Sequence, residues 1–224
     1  MFLSFGRPKS LSELGVTLPE VSTLKRRVDI AVVDDESFVR VDALRNHGFR
    51  ITEIGGDIRS VDQVAAFPVV VCDVRGVARA LGSKYEGAHL VSEIRKSFPD
   101  KFLVAYTGVS HDVTYNEKLM HADKWIQKDA TVDQWIELLE RGLSSVGDPK
   151  QRWTRFRLRL LERGVELFDL MKLEQAFIKS ISVRDSALFN DQAKKLPFSD
   201  ELKDLAIKFG AYAVVQLVDQ FVAK

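Results

Sequence analysis

Short apolar runs alternate with segments of helical periodicity over most of the first two thirds of the chain. The runs are rich in β-branched residues and bounded by polar ones, which is typical of strands buried on both faces of a parallel sheet. The segments between them place apolar residues three or four positions apart, which predicts amphipathic helices. The predicted strands are residues 28–33, 50–54, 68–72, 102–106 and 124–127, and the predicted helices are 36–46, 61–66, 86–98, a weak one near 112–120, and 132–143.

This alternation predicts a doubly wound α/β domain over residues 28–146, because parallel strands need crossover helices that cover both faces of the sheet. A Gly-Asp-Pro break at 147–149 ends the pattern. Residues 150–224 have helical periodicity and no strand signal, so we predict an all-α C-terminal region with one or two helices over 151–180 and another over 200–222. Residues 1–27 have weak periodicity with prolines and glycines, and we interpret them as an N-terminal arm or linker.

The composition and the net charge of the chain argue against some classes of function. The 224 residues are 46% hydrophobic and 29% charged, as in an ordinary globular protein, and the net charge of +1 gives no overall field that attracts nucleic acid or anionic membranes. No apolar stretch reaches the roughly 18 residues of a membrane helix. The single cysteine, Cys72, has an apolar setting that suggests a reducing compartment. We therefore expect a cytoplasmic protein that binds neither membranes nor nucleic acid.

Polar residues follow four of the predicted strands. Asp34 and Asp35 follow the first strand, Asp73 the third, Thr107 the fourth and Lys128 the fifth. The carboxyl ends of parallel strands meet at one edge of the sheet, so these side chains are expected to form one site. Three carboxylates in one place repel each other, and Mg²⁺ is the cation that suits such an acidic crevice.

A carboxylate beside Mg²⁺ can act as a nucleophile towards a phosphoryl donor. Positioning and electrostatic stabilisation supply most of the acceleration in phosphoryl transfer. Lys128 would share the charge of the transferred group with the metal, and the Thr107 hydroxyl can donate a hydrogen bond to a phosphoryl oxygen. The sequence therefore predicts a phosphoryl-transfer site.

The segments that carry these residues resemble those of response-regulator receiver domains: IAVVDDE (30–36), VVVCDV (69–74), LVAYTG (103–108) and KWIQK (124–128). The resemblance covers about half of the chain and implies a five-stranded flavodoxin-like sheet with strand order 2-1-3-4-5. It also implies that Asp73 accepts a phosphoryl group from a histidine kinase or a phosphotransfer protein. The Mg²⁺ ligands that it implies are Asp34, usually through a water, Asp35, Asp73 and the backbone carbonyl of Arg75.

The chain departs from the usual receiver pattern around the same site. Gly76 and Val77 stand where receivers often have an apolar residue and a proline, and residues 78–85 read as an extended loop. Trp125 occupies the position of the switching tyrosine or phenylalanine, and its bulk is expected to limit an inward swing. We expect the Arg75 side chain, two residues after Asp73, to pair with the phosphoryl group or to shield it from water.

Three functions fit these patterns. The first is a response regulator whose receiver switches the C-terminal helical module, which would act through protein contacts and could form a homodimer. The second is a Mg²⁺-dependent phosphohydrolase that uses Asp73 or Asp34 on an outside substrate, but the expected Asp-x-Asp spacing is absent. The third is a pseudo-receiver that serves only as a docking module. We expect no enzyme activity beyond self-phosphorylation and self-dephosphorylation, and the kinase, the target and the sign of the response stay open.

Overall fold

The chain folds into two units in a computed structural model that describes residues 10–108 and 117–222. Residues Glu20–Asp148 form one unit, which we call the sheet unit. The segment before Glu20 joins the residues from Pro149 onward in the other, which we call the helical unit. The predicted arm is therefore divided between the two units.

The sheet unit contains a parallel sheet of five strands among its described residues. β3, at the centre, is buried along its whole length, whereas β5 at the edge is mostly exposed. The strand order is β2-β1-β3-β4-β5, which confirms the flavodoxin-like order 2-1-3-4-5. The strands are β1 (Asp29–Asp34), β2 (Arg50–Gly55), β3 (Val69–Asp73), β4 (Phe102–Thr107) and β5 (Lys124–Gln127).

Helices connect these strands and cover both faces of the sheet, as parallel pairing requires. The weak helix predicted near 112–120 lies mainly outside the described residues. A 3-10 turn, Val61–Val64, takes the place of the helix predicted over 61–66, and a second one, Arg79–Leu81, lies within the predicted loop of residues 78–85. The helices are α1 (Val21–Arg27), α2 (Val41–Asn46), α3 (Glu86–Ser97) and α4 (Val132–Gly147).

The second helix begins at Val41, five residues later than the periodicity predicted. The backbone N–H of Glu36 donates to Asp34 Oδ1 at 3.1 Å, and that of Phe38 donates to Glu53 Oε2 at 3.3 Å. Because these side chains satisfy the amides, the segment after β1 stays irregular. It carries the buried Phe38 ring into the core.

Helices α1 and α4 pack together within the sheet unit. Leu24 is buried so closely against Gly147 that a Cβ on the glycine would lie 2.8 Å from Leu24 Cδ1. An ion pair between Lys25 Nζ and Glu140 Oε1, 2.7 Å long, flanks this contact. Helix α1 is therefore an integral part of the sheet unit.

The helical unit is built around packed aromatic rings, and its all-α character agrees with the sequence prediction. Trp153, Phe156, Phe177, Phe189 and Phe209 are fully or almost fully buried, and the rings of Phe156 and Phe209 stack with centroids 4.0 Å apart. Leu11, Leu14 and Val16 of the N-terminal segment pack against the same core. Its helices are α5 (Pro149–Glu162), α6 (Leu167–Val183), α7 (Ala187–Lys195), α8 (Asp200–Lys208) and α9 (Val215–Val222), with a π-helical segment (Phe209–Val214) before α9.

Helix α7 was not predicted, and the π-helical segment interrupts what the sequence indicated as one helix over 200–222. Within residues 10–108 and 117–222, no helix combines the length and the apolar character that crossing a bilayer would need.

Candidate functional site

Three carboxylates meet where β1 and β3 end. Asp34 and Asp73 are the last residues of these strands and are buried, whereas Asp35 is exposed. One carboxylate oxygen from each of the three lies within 4.8 Å of the others. Oxygen ligands from two or three carboxylates, open to water on one side, suit a hard divalent cation such as Mg²⁺. The structure thus brings together the three acidic residues that the sequence placed at this edge.

Lys128 lies directly against the deepest of these acids. Its Nζ is 2.5 Å from Asp73 Oδ2, and its backbone N–H donates to the carbonyl oxygen of Thr107 at 3.1 Å. Burial lowers the pKa of the Lys128 ammonium. The hydrogen bond to Asp73 and the charge of Asp73 raise this pKa by a larger amount, so the net shift is upward. Lys128 therefore stays charged beside the carboxylate.

Asp73 is held at both carboxylate oxygens. Its Oδ1 accepts the backbone N–H of Arg75 at 3.2 Å, while Oδ2 contacts Lys128. Burial raises the pKa of Asp73, and the bonds from Lys128 and Arg75 offset this only in part. Without a further positive charge, the ionised form of Asp73 is destabilised.

Tyr106 is a residue of the site that the sequence analysis missed. Its hydroxyl donates to Asp34 Oδ2, and the Oδ1 of the same carboxylate accepts the N–H of Glu36. The Tyr106 ring packs edge-on against Phe38 and Trp135, with centroids 5.6 and 5.7 Å apart. Burial raises the pKa of Tyr106, so the phenol remains a donor. Its position just before Thr107 was the available signal, but the strand prediction treated it as a core residue.

The other two predicted side chains, Thr107 and Trp125, belong to the strands β4 and β5. Thr107 ends β4 and is partly buried. Trp125 lies in the edge strand β5 with 49% of its surface exposed, so its ring is in an outward position. The idea that its bulk limits an inward swing stays a prediction. An open cleft beside it is lined by Trp125, Ile126, Gln134, Glu137, Leu138 and Arg141.

Helix α3 packs against the backbone of Asp73 at Gly87, where there is no room for a side chain. A Cβ on Gly87 would lie 1.8 Å from the carbonyl oxygen of Asp73 and 2.8 Å from Val77 Cγ2. The Sγ of Cys72 is 3.2 Å from the same Asp73 oxygen. The backbone at the end of β3 is therefore enclosed by the start of α3.

No family model matches the sequence, and no curated protein matches it. Several solved structures are similar to this chain. The receiver domain of NtrX from Brucella abortus is 26% identical, with 52% of this chain and 99% of that chain covered and a TM-score of 0.42. A CheY-like response regulator receiver domain protein from Methanospirillum hungatei JF-1 is 17% identical, with coverages of 52% and 93% and a TM-score of 0.41. A response regulator receiver protein from Sinorhizobium medicae WSM419 is 22% identical, with coverages of 53% and 95% and a TM-score of 0.42. The chain is similar to receiver domains over about half of its length.

Proposed function

We propose that this protein is a response regulator of a two-component or phosphorelay system, and that Asp73 accepts a phosphoryl group in the presence of Mg²⁺. One observation carries the proposal. The Asp73 carboxylate is buried at the end of β3 with the Lys128 ammonium at 2.5 Å and two further carboxylates within 4.8 Å. A carboxylate that receives an anionic group needs positive charge beside it, which Lys128 supplies and which a cation held by the neighbouring carboxylates would increase.

The chain's own residues position and stabilise the reacting groups. Asp73 would attack the phosphorus with one carboxylate oxygen while Arg75 N–H fixes the other, and the leaving group departs with the electron pair of the broken bond. The Lys128 ammonium would then pair with the phosphoryl oxygens that arrive beside it. Asp34, Asp35, Asp73 and the Arg75 carbonyl would hold Mg²⁺, which would supply charge neutralisation for the incoming group.

Thr107 and Tyr106 connect the site to the rest of the sheet unit. The Thr107 hydroxyl is the donor that would follow the phosphoryl group, as in the switch implied by the receiver resemblance. Tyr106 orients Asp34 and contacts Trp135 in α4. A change at the site can therefore reach the helix that directly precedes the helical unit, which we propose as the output module acting through protein contacts.

The phosphoryl donor must come from outside the chain's helical unit. All four histidines precede residue 122, so residues 149–224 contain no phosphohistidine candidate. A histidine kinase or a separate phosphotransfer protein is the donor that we propose. Because Asp73 is itself the acceptor, we do not propose an enzyme that acts on an outside substrate.

Acetyl phosphate tests the proposal directly. With Mg²⁺ present, we expect the protein to take up one phosphoryl group, which peptide mapping by mass spectrometry should locate at Asp73. Omission of Mg²⁺ should prevent the uptake. Turnover of an outside phosphate monoester, such as p-nitrophenyl phosphate, would support a phosphohydrolase instead. No uptake under any condition would support a docking module.

Mg²⁺ should also stabilise the folded protein, because it relieves repulsion among carboxylates that are brought together only by folding. At 100 times its dissociation constant, a ligand that binds only the native state adds about 2.7 kcal/mol. Thermal unfolding with and without Mg²⁺ measures this effect. Asp35→Asn should reduce the gain, while Asp57→Asn, an exposed acid paired with Arg59 outside the cluster, should retain it. An equal gain in all three proteins would contradict a specific site.

A further inference from the structure

The loop between β3 and α3 has an unusual backbone. Gly76, Ala78 and Gly82 have φ angles of +80°, +58° and +74°, and Glu86 at the first position of α3 has a φ of +44°. Left-handed backbone is uncommon for residues other than glycine, so its presence at Ala78 and Glu86 shows that the surrounding contacts determine the conformation. This loop starts directly after the acceptor aspartate.

The Glu86 carboxylate closes the loop. Its Oε2 accepts the backbone N–H of Gly76 at 2.7 Å, and its Oε1 accepts the Nε of Arg79 at 3.2 Å. Its side chain is 24% exposed, while that of Arg79 is 71% exposed. The bond to Gly76 is therefore the more sheltered and the more constraining of the two.

The bond to Gly76 also fixes the orientation of the Arg75 carbonyl. The Arg75 C=O and the Gly76 N–H belong to one planar trans peptide, so they point in opposite directions. Since the N–H points at Glu86, the carbonyl must point away from it. This carbonyl is the backbone ligand that the proposed Mg²⁺ site requires.

The same glycine touches the exposed acid of the site. A Cβ on Gly76 would lie 2.2 Å from Asp35 Oδ2, and a Cβ on Gly56 would lie 2.7 Å from Asp35 Cβ. The carbonyl oxygen of Gly56 accepts the N–H of Ala78 at 2.7 Å, which ties the loop to this second glycine. Asp35 therefore lies between two glycines, one of which is held by Glu86.

We propose that Glu86 is a positioning residue for the metal site: by holding the Gly76 N–H, it sets the direction of the Arg75 carbonyl and the place of the Asp35 carboxylate. This inference rests on the proposed function. Glu86 acts through hydrogen-bond reach rather than through its charge. Residues that orient metal ligands in this way typically change metal affinity by 10- to 100-fold when replaced.

Two conservative substitutions separate reach from charge. Glu86→Gln keeps the length and an acceptor oxygen but loses the charge, and its amide group displaces only the exposed Arg79. We expect its Mg²⁺ affinity to stay within about threefold of wild type, which is small beside the effect of removing a ligand-orienting group. Glu86→Asp keeps the charge but shortens the reach, and aspartate tolerates left-handed backbone. We expect Glu86→Asp to weaken Mg²⁺ binding by about tenfold or more.

Calorimetric titration of the full chain with MgCl₂ measures these affinities, and unfolding in metal-free buffer shows that each variant folds. Glu93→Gln is the matched control, because Glu93 lies in the same helix and pairs with Lys96 at 2.6 Å. Wild-type affinity in Glu86→Asp would overturn the inference. So would a loss in Glu86→Gln as large as that in Glu86→Asp, because charge would then be the cause. If wild type itself bound no Mg²⁺, the proposed function would fail together with this inference.

Discussion

Asp73→Asn is expected to abolish phosphoryl uptake and, in metal-free buffer, to stabilise the fold. The amide is not a nucleophile, so incorporation from acetyl phosphate should fall below detection. The same change removes a buried charge that the folded protein accommodates poorly, since burial raises the pKa of Asp73. The amide oxygen can still accept a hydrogen bond from Lys128, whose side chain is 38% exposed and can be hydrated.

The sign of the pH dependence follows from the direction of the shift. A carboxyl group with a raised pKa in the folded state favours folding most when it is protonated, so wild type loses stability as pH rises through that folded pKa. Asp73→Asn lacks this loss. Its advantage in the free energy of unfolding should therefore grow from acidic to neutral pH in urea titrations with a chelator present. Saturating Mg²⁺ should remove the advantage.

Asp57→Asn serves as the control, because this acid is exposed and pairs with Arg59, two residues further on. It should be phosphorylated normally and should show no comparable pH-dependent gain. Continued labelling of Asp73→Asn would place the acceptor elsewhere. A variant less stable than wild type across the whole pH range would mean that the Lys128 ion pair outweighs the cost of burying Asp73.

Gly87→Ala is expected to have the largest effect on stability. The added Cβ would lie 1.8 Å from the Asp73 carbonyl oxygen, and this backbone atom cannot rotate away. Either α3 or the end of β3 must shift. Overpacking of this kind should lower the free energy of unfolding by on the order of 3 kcal/mol. Because the shifted backbone carries Asp73, Mg²⁺ affinity should fall as well.

Gly55→Ala provides a matched comparison at the end of β2, where an added Cβ meets nothing within 4 Å. Its unfolding free energy should stay within about 0.5 kcal/mol of wild type, as for most exposed substitutions. Urea unfolding and calorimetric Mg²⁺ titration of both variants give the comparison. Equal stability of the two would show that α3 accommodates a methyl group that the present packing does not allow.

The sheet and its acidic edge could be predicted because both depend on simple periodic rules. Continuous apolar runs mark parallel strands, and the carboxyl ends of such strands share one edge, so Asp34, Asp73 and Lys128 could be placed together from sequence. Tyr106 and Glu86 could not. The role of Tyr106 depends on a hydrogen bond across the sheet to β1, and that of Glu86 depends on left-handed backbone in the preceding loop.

The start of α2 and the interruption before α9 escaped prediction for a related reason. Periodicity describes one segment at a time, whereas the amides before α2 are satisfied by Asp34 and by Glu53 in another strand. In the π-helical segment, Gly210 lies so close to α7 that a Cβ would be 1.9 Å from Asn190 Oδ1. Helix α7 therefore contacts the π-helical segment at this point, and the segment's own sequence pattern does not encode that contact.

The packing of the N-terminal segment makes the helical unit discontinuous in sequence. Leu11, Leu14 and Val16 complete the core of a unit whose remaining residues begin at Pro149, so the sheet unit is an insertion within the helical one. The chain passes between the two units twice, before Glu20 and after Asp148, so cleavage after Asp148 alone would leave the units covalently joined near Glu20. A fragment that starts at Glu20 would lack Leu11, Leu14 and Val16, and the hydrophobic core of its helical unit would be incomplete.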